Sequence, residues 1–232
     1  MCGRYTLSSP GDSLAEVFGL ADVPQIPLRW NIAPTQESAV VRVLAPGEPR
    51  RLDLLRWGLV PWWAQDPAIG NRMINARSES AVEKPAFRDS FERRRCLVPA
   101  DGFYEWKSLG KRLKQPFLIR RPDRRPFAFA GLWSRWRPKD GGEPLETYTI
   151  LTTDADERIG DLHDRMPVIL APEQFDLWLD PAERDPARVL PLLTPGGGGD
   201  LELVPVSTKV NKPENDAPDC IEPLVGPVGT LF

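Results

Sequence analysis

Histidine is nearly absent from this chain of 232 residues, since His163 is the only one. Any mechanism that needs an imidazole must therefore use that side chain. The three cysteines, Cys2, Cys96 and Cys220, form an odd number and lack the spacing of a metal site. No apolar run approaches the roughly 18 residues that cross a membrane, and no signal peptide is evident. These absences predict a cytoplasmic protein with reduced cysteines.

Proline is abundant, with 26 residues, and predicts many short elements joined by rigid loops. The charges are divided unevenly along the chain. Residues 1–125 carry 21 Lys and Arg against 14 Asp and Glu, whereas residues 126–232 carry 9 against 19. The basic first half is compatible with a polyanion partner. The alternative is that the two halves interleave in space and cancel.

Short elements alternate along the chain. A helix is predicted over 10–19, with Ser9 or Asp12 as its cap, and two short helices over 78–93, interrupted at Pro85. Further helices are predicted over 154–162 and 172–179. The predicted strands cover 38–44, 51–57, 95–99, 116–121, 127–133, 147–153, 167–171 and 201–206. This mixture predicts an α+β fold built around an antiparallel sheet, with no internal domain boundary.

Cys2 directly follows the initiator Met1, which is normally removed when such a small residue comes second. Cys2 would then carry a free α-amine and a thiol on adjacent carbons. An α-amine has a pKa of about 7.7–8.0, so it is substantially neutral at physiological pH. It can attack an aldehyde to form an imine, on which the thiol closes a thiazolidine ring. The alternative is that Met1 stays and Cys2 is a small buried residue.

Two segments carry groups suited to an unpaired nucleic-acid strand. In WGLVPWW, residues 57–63, exposed tryptophans would stack on bases, at about 1–3 kcal/mol per base. The alternative is a tryptophan-rich corner of the core. In INARSE, residues 74–79, Asn75 can orient an amine and Arg77 can bind a phosphate. The alternative is the capped start of a helix.

Two further segments supply groups for proton transfer. Glu105 lies among aromatic residues in CLVPADGFYEW, and burial there would raise its pKa and suit it to acid–base catalysis. A structural ion pair, for instance with Arg77, is the alternative. In LHDRMP, His163 could act as a general acid or base beside a phosphate-binding Arg165. His163 could instead cap the C-terminus of a helix.

In this order, the motifs resemble the SOS-response-associated peptidase family, whose members process abasic sites in single-stranded DNA. The matching segments are MCGRY, RWNIAPTQ, WGLVPWW, INARSES, RCLVPADGFYEWK, LHDRMPVIL and VPVSTKVN. The resemblance runs from residue 2 to about residue 224. It implies one compact α+β domain over residues 1–232, with a barrel-like antiparallel core, short flanking helices and a basic groove for single-stranded DNA.

The resemblance also implies roles for individual residues. Cys2 would be the nucleophile that forms a covalent thiazolidine link with the abasic site, and Asn75 would hold its α-amine. Glu105 would move the proton that opens the deoxyribose ring. His163 would transfer protons during imine formation and reversal. The residues implied to contact DNA are Arg4, Pro34, Trp62, Trp63, Arg77 and Arg165.

The same resemblance implies a monomer that works on DNA near the nucleoid, without a metal, a cofactor or a membrane. Autocatalytic removal of Met1 would explain the word peptidase in the family's name. No base-reading motif is evident, so we expect little sequence preference and a steep loss of DNA affinity with salt.

Two other functions are compatible with these residues. A cysteine peptidase acting on protein substrates would use Cys2, His163 and Glu105, although such an enzyme does not need its cysteine at the chain terminus. A non-covalent module that binds single-stranded DNA would need only the aromatic and arginine side chains. Cys96 and Cys220 are expected to be structural.

Overall fold

Strands predominate over short helices in the computed structural model, which describes residues 2–110 and 113–224. The strands are β1 (Tyr5–Leu7), β2 (Arg29–Ile32), β3 (Glu37–Arg42), β4 (Arg51–Trp57), β5 (Asn75–Arg77), β6 (Arg95–Ala100), β7 (Gly102–Ser108), β8 (Lys114–Arg120), β9 (Phe127–Trp136), β10 (Leu145–Asp154), β11 (Arg165–Pro167), β12 (Ile169–Leu170) and β13 (Glu202–Pro205). The helices are α1 (Gly11–Phe18), α2 (Ser78–Ala81), α3 (Arg88–Arg93), α4 (Phe175–Leu179) and α5 (Pro186–Val189). No helix in these two ranges is long and apolar enough to cross a membrane.

A closed barrel of five strands forms the centre of the fold. Around the barrel the strands follow the order β3, β4, β10, β9 and β6, and β6 pairs again with β3. All of these pairings are antiparallel except that between β10 and β4. The prediction of an α+β domain with a barrel-like core and short helices is confirmed. That the domain spans residues 1–232 stays a prediction.

A second sheet, in the order β13, β8, β7, β1 and β2, brings the N-terminal strand onto the barrel. Tyr5 of β1 packs edge-on against Trp57, with ring centroids 5.2 Å apart, and Trp57 stacks on Tyr148 at 6.3 Å. The hydroxyl oxygens of Tyr5 and Tyr148 lie 2.6 Å apart. Because all three side chains are fully buried, they fix the beginning of the chain against the barrel wall.

The segment that follows β13 folds back over β2, where Asn31 holds it. The side-chain nitrogen of this fully buried residue donates to three carbonyl oxygens, those of Val210, Lys212 and Asn215. In return, the Asp216 carboxylate accepts the backbone N–H of Asn31 at 2.9 Å. One buried amide therefore joins the first quarter of the chain to its last part.

Two glycines let the tryptophan-bearing loop lie close to the turn that follows it. Gly58 has a φ of +123°, and a Cβ there would meet the carbonyl oxygen of Gly70 at 2.6 Å. A Cβ on Gly70 would meet the carbonyl oxygen of Gly58 at 2.5 Å. Both distances are shorter than a real contact, so only glycine fits at either position. The crossing fixes the base of the loop that carries Trp62 and Trp63.

The first predicted helix is present as α1, but its predicted cap is wrong. The helix begins after Pro10, which has no side chain that could accept a hydrogen bond. Ser9 instead donates its hydroxyl to Asp101 at 2.6 Å, and the Asp12 side chain does not cap the helix. At the other end, Gly19 adopts a left-handed conformation with a φ of +62° and ends the helix, as glycine commonly does.

The helix predicted over 154–162 is wrong, because this segment is a series of turns. The carboxylate of Asp156 accepts the backbone N–H groups of Arg158 and Ile159, each at 3.1 Å. Such local hydrogen bonds compete with a helix. The strand predicted over 167–171 likewise divides into β11 and β12, and Val168 lies between them.

Candidate active site

Cys2 lies on the N-terminal side of β1 and is fully buried. The side-chain nitrogen of Asn75 donates to the Cys2 carbonyl oxygen at 2.7 Å. Asn75 stands on β5, which pairs with β10 through Ile150. The amide that the sequence singled out is therefore anchored on the barrel wall and is bonded to the residue it was predicted to hold, although through the carbonyl group.

The environment of the Cys2 thiol favours its neutral form. The sulfur lies 3.7 Å from the carbonyl oxygen of Arg4. Burial raises the pKa of this thiol well above its ordinary value, and the nearby Glu105 carboxylate raises it further. Cys2 is therefore a protonated thiol at neutral pH, not the thiolate that a cysteine peptidase uses.

Glu105 lies on β7 beside the N-terminal segment, and only 4% of it is exposed. The backbone N–H of Tyr104 donates to the carbonyl oxygen of Arg4 at 3.0 Å, so the two segments run side by side up to Cys2. Burial raises the pKa of the Glu105 carboxyl group to about 6. The predicted burial and direction of the pKa shift are confirmed. A carboxyl group with this pKa exchanges protons readily near neutral pH.

His163 follows the turns of residues 155–162, so no helix ends there for it to cap. Its Nδ1 accepts the backbone N–H of Arg165 at 3.0 Å and lies 2.6 Å from a carboxylate oxygen of Asp164. Burial lowers the pKa of His163, and the positive charge of Lys114 acts in the same direction, whereas Asp164 opposes it. Burial thus favours the neutral ring, while the short contact with the Asp164 carboxylate favours a proton on Nδ1. After protonation the same nitrogen can donate to Asp164.

The side chain of Arg165 is only 9% exposed, because acidic groups and a carbonyl surround it. Its guanidinium donates to both oxygens of Glu79, at 2.8 and 2.9 Å, to Asp154 at 2.6 Å and to the Thr152 carbonyl at 2.6 Å. These contacts hold the guanidinium within the protein. The phosphate contact predicted for Arg165 stays a prediction.

The Arg4 side chain likewise bonds to groups within the protein. Its guanidinium donates to the side-chain oxygen of Asn31 and to the Val210 carbonyl oxygen, each at 2.8 Å, and to the Asn211 carbonyl oxygen at 3.4 Å. These bonds tie the residues beside Cys2 to the segment after β13. The structure thus gives Arg4 a role in holding the N-terminal segment, while its predicted DNA contact stays untested.

The remaining predicted DNA contacts are accessible to different degrees. Trp62 is 60% exposed and Trp63 is 43% exposed, whereas Trp57 is part of the core. Arg77 is exposed and Pro34 is half-buried. Trp57 therefore belongs to the core, whereas Trp62 and Trp63 face outward, and their stacking on bases stays a prediction.

Sequence reasoning assigned no role to three residues that shape this site. Asn31 lies within the RWNIAPTQ motif, and its isolation among apolar residues was the available signal for a buried amide. Lys114 acts electrostatically on both Glu105 and His163, and no local pattern indicates this. Glu79 lies in the INARSES motif on α2, and only the fold brings it to its partner Arg165 on β11. Within 2–110 and 113–224, no group of three or more His, Cys, Asp or Glu residues could hold a metal ion.

The fold is a single domain around a five-stranded barrel. Its candidate site is centred on a buried cysteine at the second position, with an asparagine bonded to it and an acid beside it. The family model described as SOS response associated peptidase (SRAP) matches residues 1–213, and the chain belongs to this family. It is 44% identical to the abasic site processing protein YoqW of Bacillus subtilis over 225 residues, covering 96% of this chain and 99% of that one. It is 37% identical to the abasic site processing protein HMCES of Gallus gallus, covering 78% of this chain and 60% of that one.

Solved structures show the same fold. A crystal structure of a protein from Bacteroides thetaiotaomicron matches with a TM-score of 0.83 and 26% identity, covering 97% of this chain and 100% of that one. A crystal structure of a protein from Bordetella bronchiseptica matches with a TM-score of 0.73 and 29% identity, covering 89% and 100%. The structural neighbours therefore extend over nearly the whole described chain.

Proposed function

We propose that this protein processes abasic sites in single-stranded DNA by forming a covalent thiazolidine link through Cys2 once Met1 has been removed. The names of the relatives support the substrate. The observation that carries the chemistry is the 2.7 Å hydrogen bond from Asn75 to the Cys2 carbonyl, which fixes the residue whose amine and thiol would react. The buried acid beside it supports the proton transfers.

The first step is the opening of the deoxyribose hemiacetal to its aldehyde. This step moves a proton from the C1 hydroxyl to the ring oxygen, and it needs a group that both accepts and donates protons. Glu105 suits this role, because its pKa of about 6 leaves both protonation states accessible near neutral pH.

In the second step, the α-amine of Cys2 adds to the aldehyde carbon, and loss of one water molecule gives an imine. Asn75 supports the orientation of this amine. Its side-chain oxygen is buried and has no hydrogen-bond partner among the described residues, so it is an available acceptor for an N–H of the amine. His163 would protonate the departing hydroxyl group and would recover its proton from solvent.

In the third step, the thiol adds across the C=N bond. A bond forms between sulfur and the former aldehyde carbon, and the thiol proton passes to the nitrogen. The sum is one aldehyde and one aminothiol giving one thiazolidine and one water. A neutral thiol is suited to this order, with the amine reacting first, since the raised pKa of Cys2 disfavours direct attack by a thiolate.

The DNA would lie along the exposed side of the site. Trp62 and Trp63 offer aromatic faces for unpaired bases, and Arg77 offers an exposed cation for a phosphate. A cysteine peptidase acting on other proteins fits less well, because it needs a thiolate and the Cys2 environment suppresses one. A non-covalent DNA-binding module does not require a fixed position of Cys2, which the hydrogen bond from Asn75 provides.

The test is a denaturing gel with single-stranded DNA that carries one abasic site. The mature protein is expected to give a heat-stable shifted band, and Cys2→Ala is expected to give none. Cys96→Ala is the matched control, because it removes an equally buried thiol away from the site and should keep the band. A variant with an uncleaved residue ahead of Cys2 keeps the thiol but loses the free amine. A shifted band from that variant, or none from mature protein whose Met1 is absent by mass spectrometry, would refute the proposal.

A further inference from the structure

We infer that Glu79 is a positioning residue, which acts through Arg165 to hold the imidazole of His163 in register with Asn75. The effect of Glu79 on catalysis rests on the proposed function. Its effect on the position of the His163 ring can be tested without DNA.

The first link joins Glu79 to Arg165. Both carboxylate oxygens of Glu79 accept from separate nitrogens of the guanidinium, at 2.8 and 2.9 Å. Two parallel bonds between planar groups fix direction as well as distance. Glu79 belongs to α2, which begins directly after β5, the strand that carries Asn75. One end of the link therefore stands on the same rigid segment as the amide that holds Cys2.

The second link joins Arg165 to His163. The backbone N–H of Arg165 lies 3.0 Å from the imidazole Nδ1, and the Asp164 carboxylate lies 2.6 Å from the same nitrogen, so these two groups together set the orientation of the ring. The Arg165 side chain also donates to Asp154 and to the Thr152 carbonyl, each at 2.6 Å. The guanidinium thus connects the end of β10 to α2, and the imidazole depends on where the arginine backbone lies.

Glu79 is needed because the guanidinium is nearly enclosed. Without the carboxylate, two of its N–H bonds are lost at a side chain that is only 9% exposed. The side chain must then move to find new acceptors. This loosens the first residue pair between β11 and β10, Arg165 with Asp154, and displaces the backbone N–H that bonds to Nδ1. The segment before it consists of turns, which offer little resistance to such a shift.

The single histidine provides a direct readout. In protein labelled with ¹⁵N-histidine, the imidazole gives one set of signals, and the wild type is expected to show one dominant tautomer. Glu79→Gln is expected to give a mixture of tautomers and a His163 pKa closer to that of an exposed histidine. Asp164, Lys114 and the N-terminal charge all act on the ring, and none of them is changed in this variant. Glu83→Gln, which removes another exposed carboxylate near α2, is the matched control and should leave the signals unchanged.

A kinetic measurement tests the catalytic meaning. At saturating abasic DNA, Glu79→Gln is expected to slow formation of the covalent adduct by about tenfold, with the dissociation constant for undamaged strand unchanged, since small misplacements of catalytic groups are costly. Glu79→Asp keeps the charge and is expected to restore part of the rate. Unchanged histidine signals would overturn the inference. So would tighter binding of undamaged DNA at an unchanged adduct rate, because Glu79 would then only shield Arg165 from phosphate. A wild type that forms no adduct would refute the proposed function alone, and the histidine signals would still decide the role of Glu79.

Discussion

The two sides of the candidate site are held by different forces. On the Cys2 side, strand pairing, aromatic packing and buried amides fix the groups, and Glu105 is almost entirely enclosed. On the His163 side, turns carry the imidazole, and ion pairs hold them: the side chains of Glu79 and Asp154, which bind Arg165, are 51% and 82% exposed. The stability of the first arrangement should change little with salt, whereas the stability of the second depends on charges that salt screens. Cys2 is thus built into the core, whereas the segment that carries His163 is attached to it by ion pairs.

The largest effect is expected from breaking the buried side at Asn31. Asn31→Ala removes an amide that bonds three carbonyls and the Arg4 guanidinium, so several buried polar groups lose their partners. We expect the free energy of unfolding to fall by about 3 kcal/mol. Denaturant titration measures this loss. Asn71→Ala, which removes an exposed amide bonded to Arg56, is the control and should change little. Equal effects from both variants would contradict the buried role of Asn31.

Glu105→Gln is expected to change activity and stability in opposite directions. If the Glu105 carboxyl group transfers the proton as proposed, adduct formation at pH 7 should slow by about a hundredfold in this variant. Burial disfavours the charged form, so the wild type loses stability as the pH rises from the ordinary carboxyl pKa through about 6. Gln cannot ionise, and this variant should be more stable than the wild type at pH 7 by about 2 kcal/mol.

The measurements for Glu105→Gln are single-turnover adduct formation and urea unfolding at pH 4.5 and pH 7. The difference in stability between the two proteins should be much smaller at the lower pH. If Glu105→Gln is less stable than the wild type at pH 7, the carboxylate is stabilised in the fold and its raised pKa is wrong.

The exposed aromatic side can be tested with Trp62→Ala. If unpaired bases stack on this side chain, single-stranded DNA should bind more weakly by about 1–3 kcal/mol. Because Trp62 is 60% exposed, thermal unfolding should hardly change. Fluorescence anisotropy with a labelled, undamaged strand measures the affinity. Leu54→Ala, at another exposed apolar residue, on β4, serves as the control. Equal losses of affinity in both variants would argue against base stacking at Trp62.

The smallest effect is expected on the stability of the ion-paired side. Glu79→Gln should lower the free energy of unfolding by less than about 1 kcal/mol at low salt, since Glu79 is half exposed. In 0.5 M salt the difference from the wild type should diminish further. A loss that is large and independent of salt would mean that both sides of the site are held in the same way.

Sequence reasoning predicted the parts of this molecule whose signals are local. The barrel strands β3, β4, β9 and β10 have apolar runs, and these runs predicted their positions. Glu105 stands in a run of aromatic residues, and this run predicted its burial. The strands β1, β2, β5 and β7 were not predicted. The first three have at most four residues each and are defined by their partners, not by their own pattern. The strand β7 has seven residues, but its mixture of aromatic and charged side chains lacks a regular strand pattern. The hydrogen bonds of the Arg4 and Arg165 guanidinium groups depend on residues far along the chain. A motif shows which residue types recur, but only the fold shows which acceptors reach them.

The bonds from Arg4 and Asn31 to the backbone between residues 210 and 215 also set an order of events during synthesis. The ribosome makes the N-terminal segment first, and its anchoring partners follow only about 200 residues later, since Arg4 and Val210 are 206 positions apart. Until they emerge, the nascent chain carries Cys2 without the framework that holds it beside Glu105. The framework around Cys2 is therefore complete only after residues 210–215 have left the ribosome, and a shorter nascent chain lacks an assembled site.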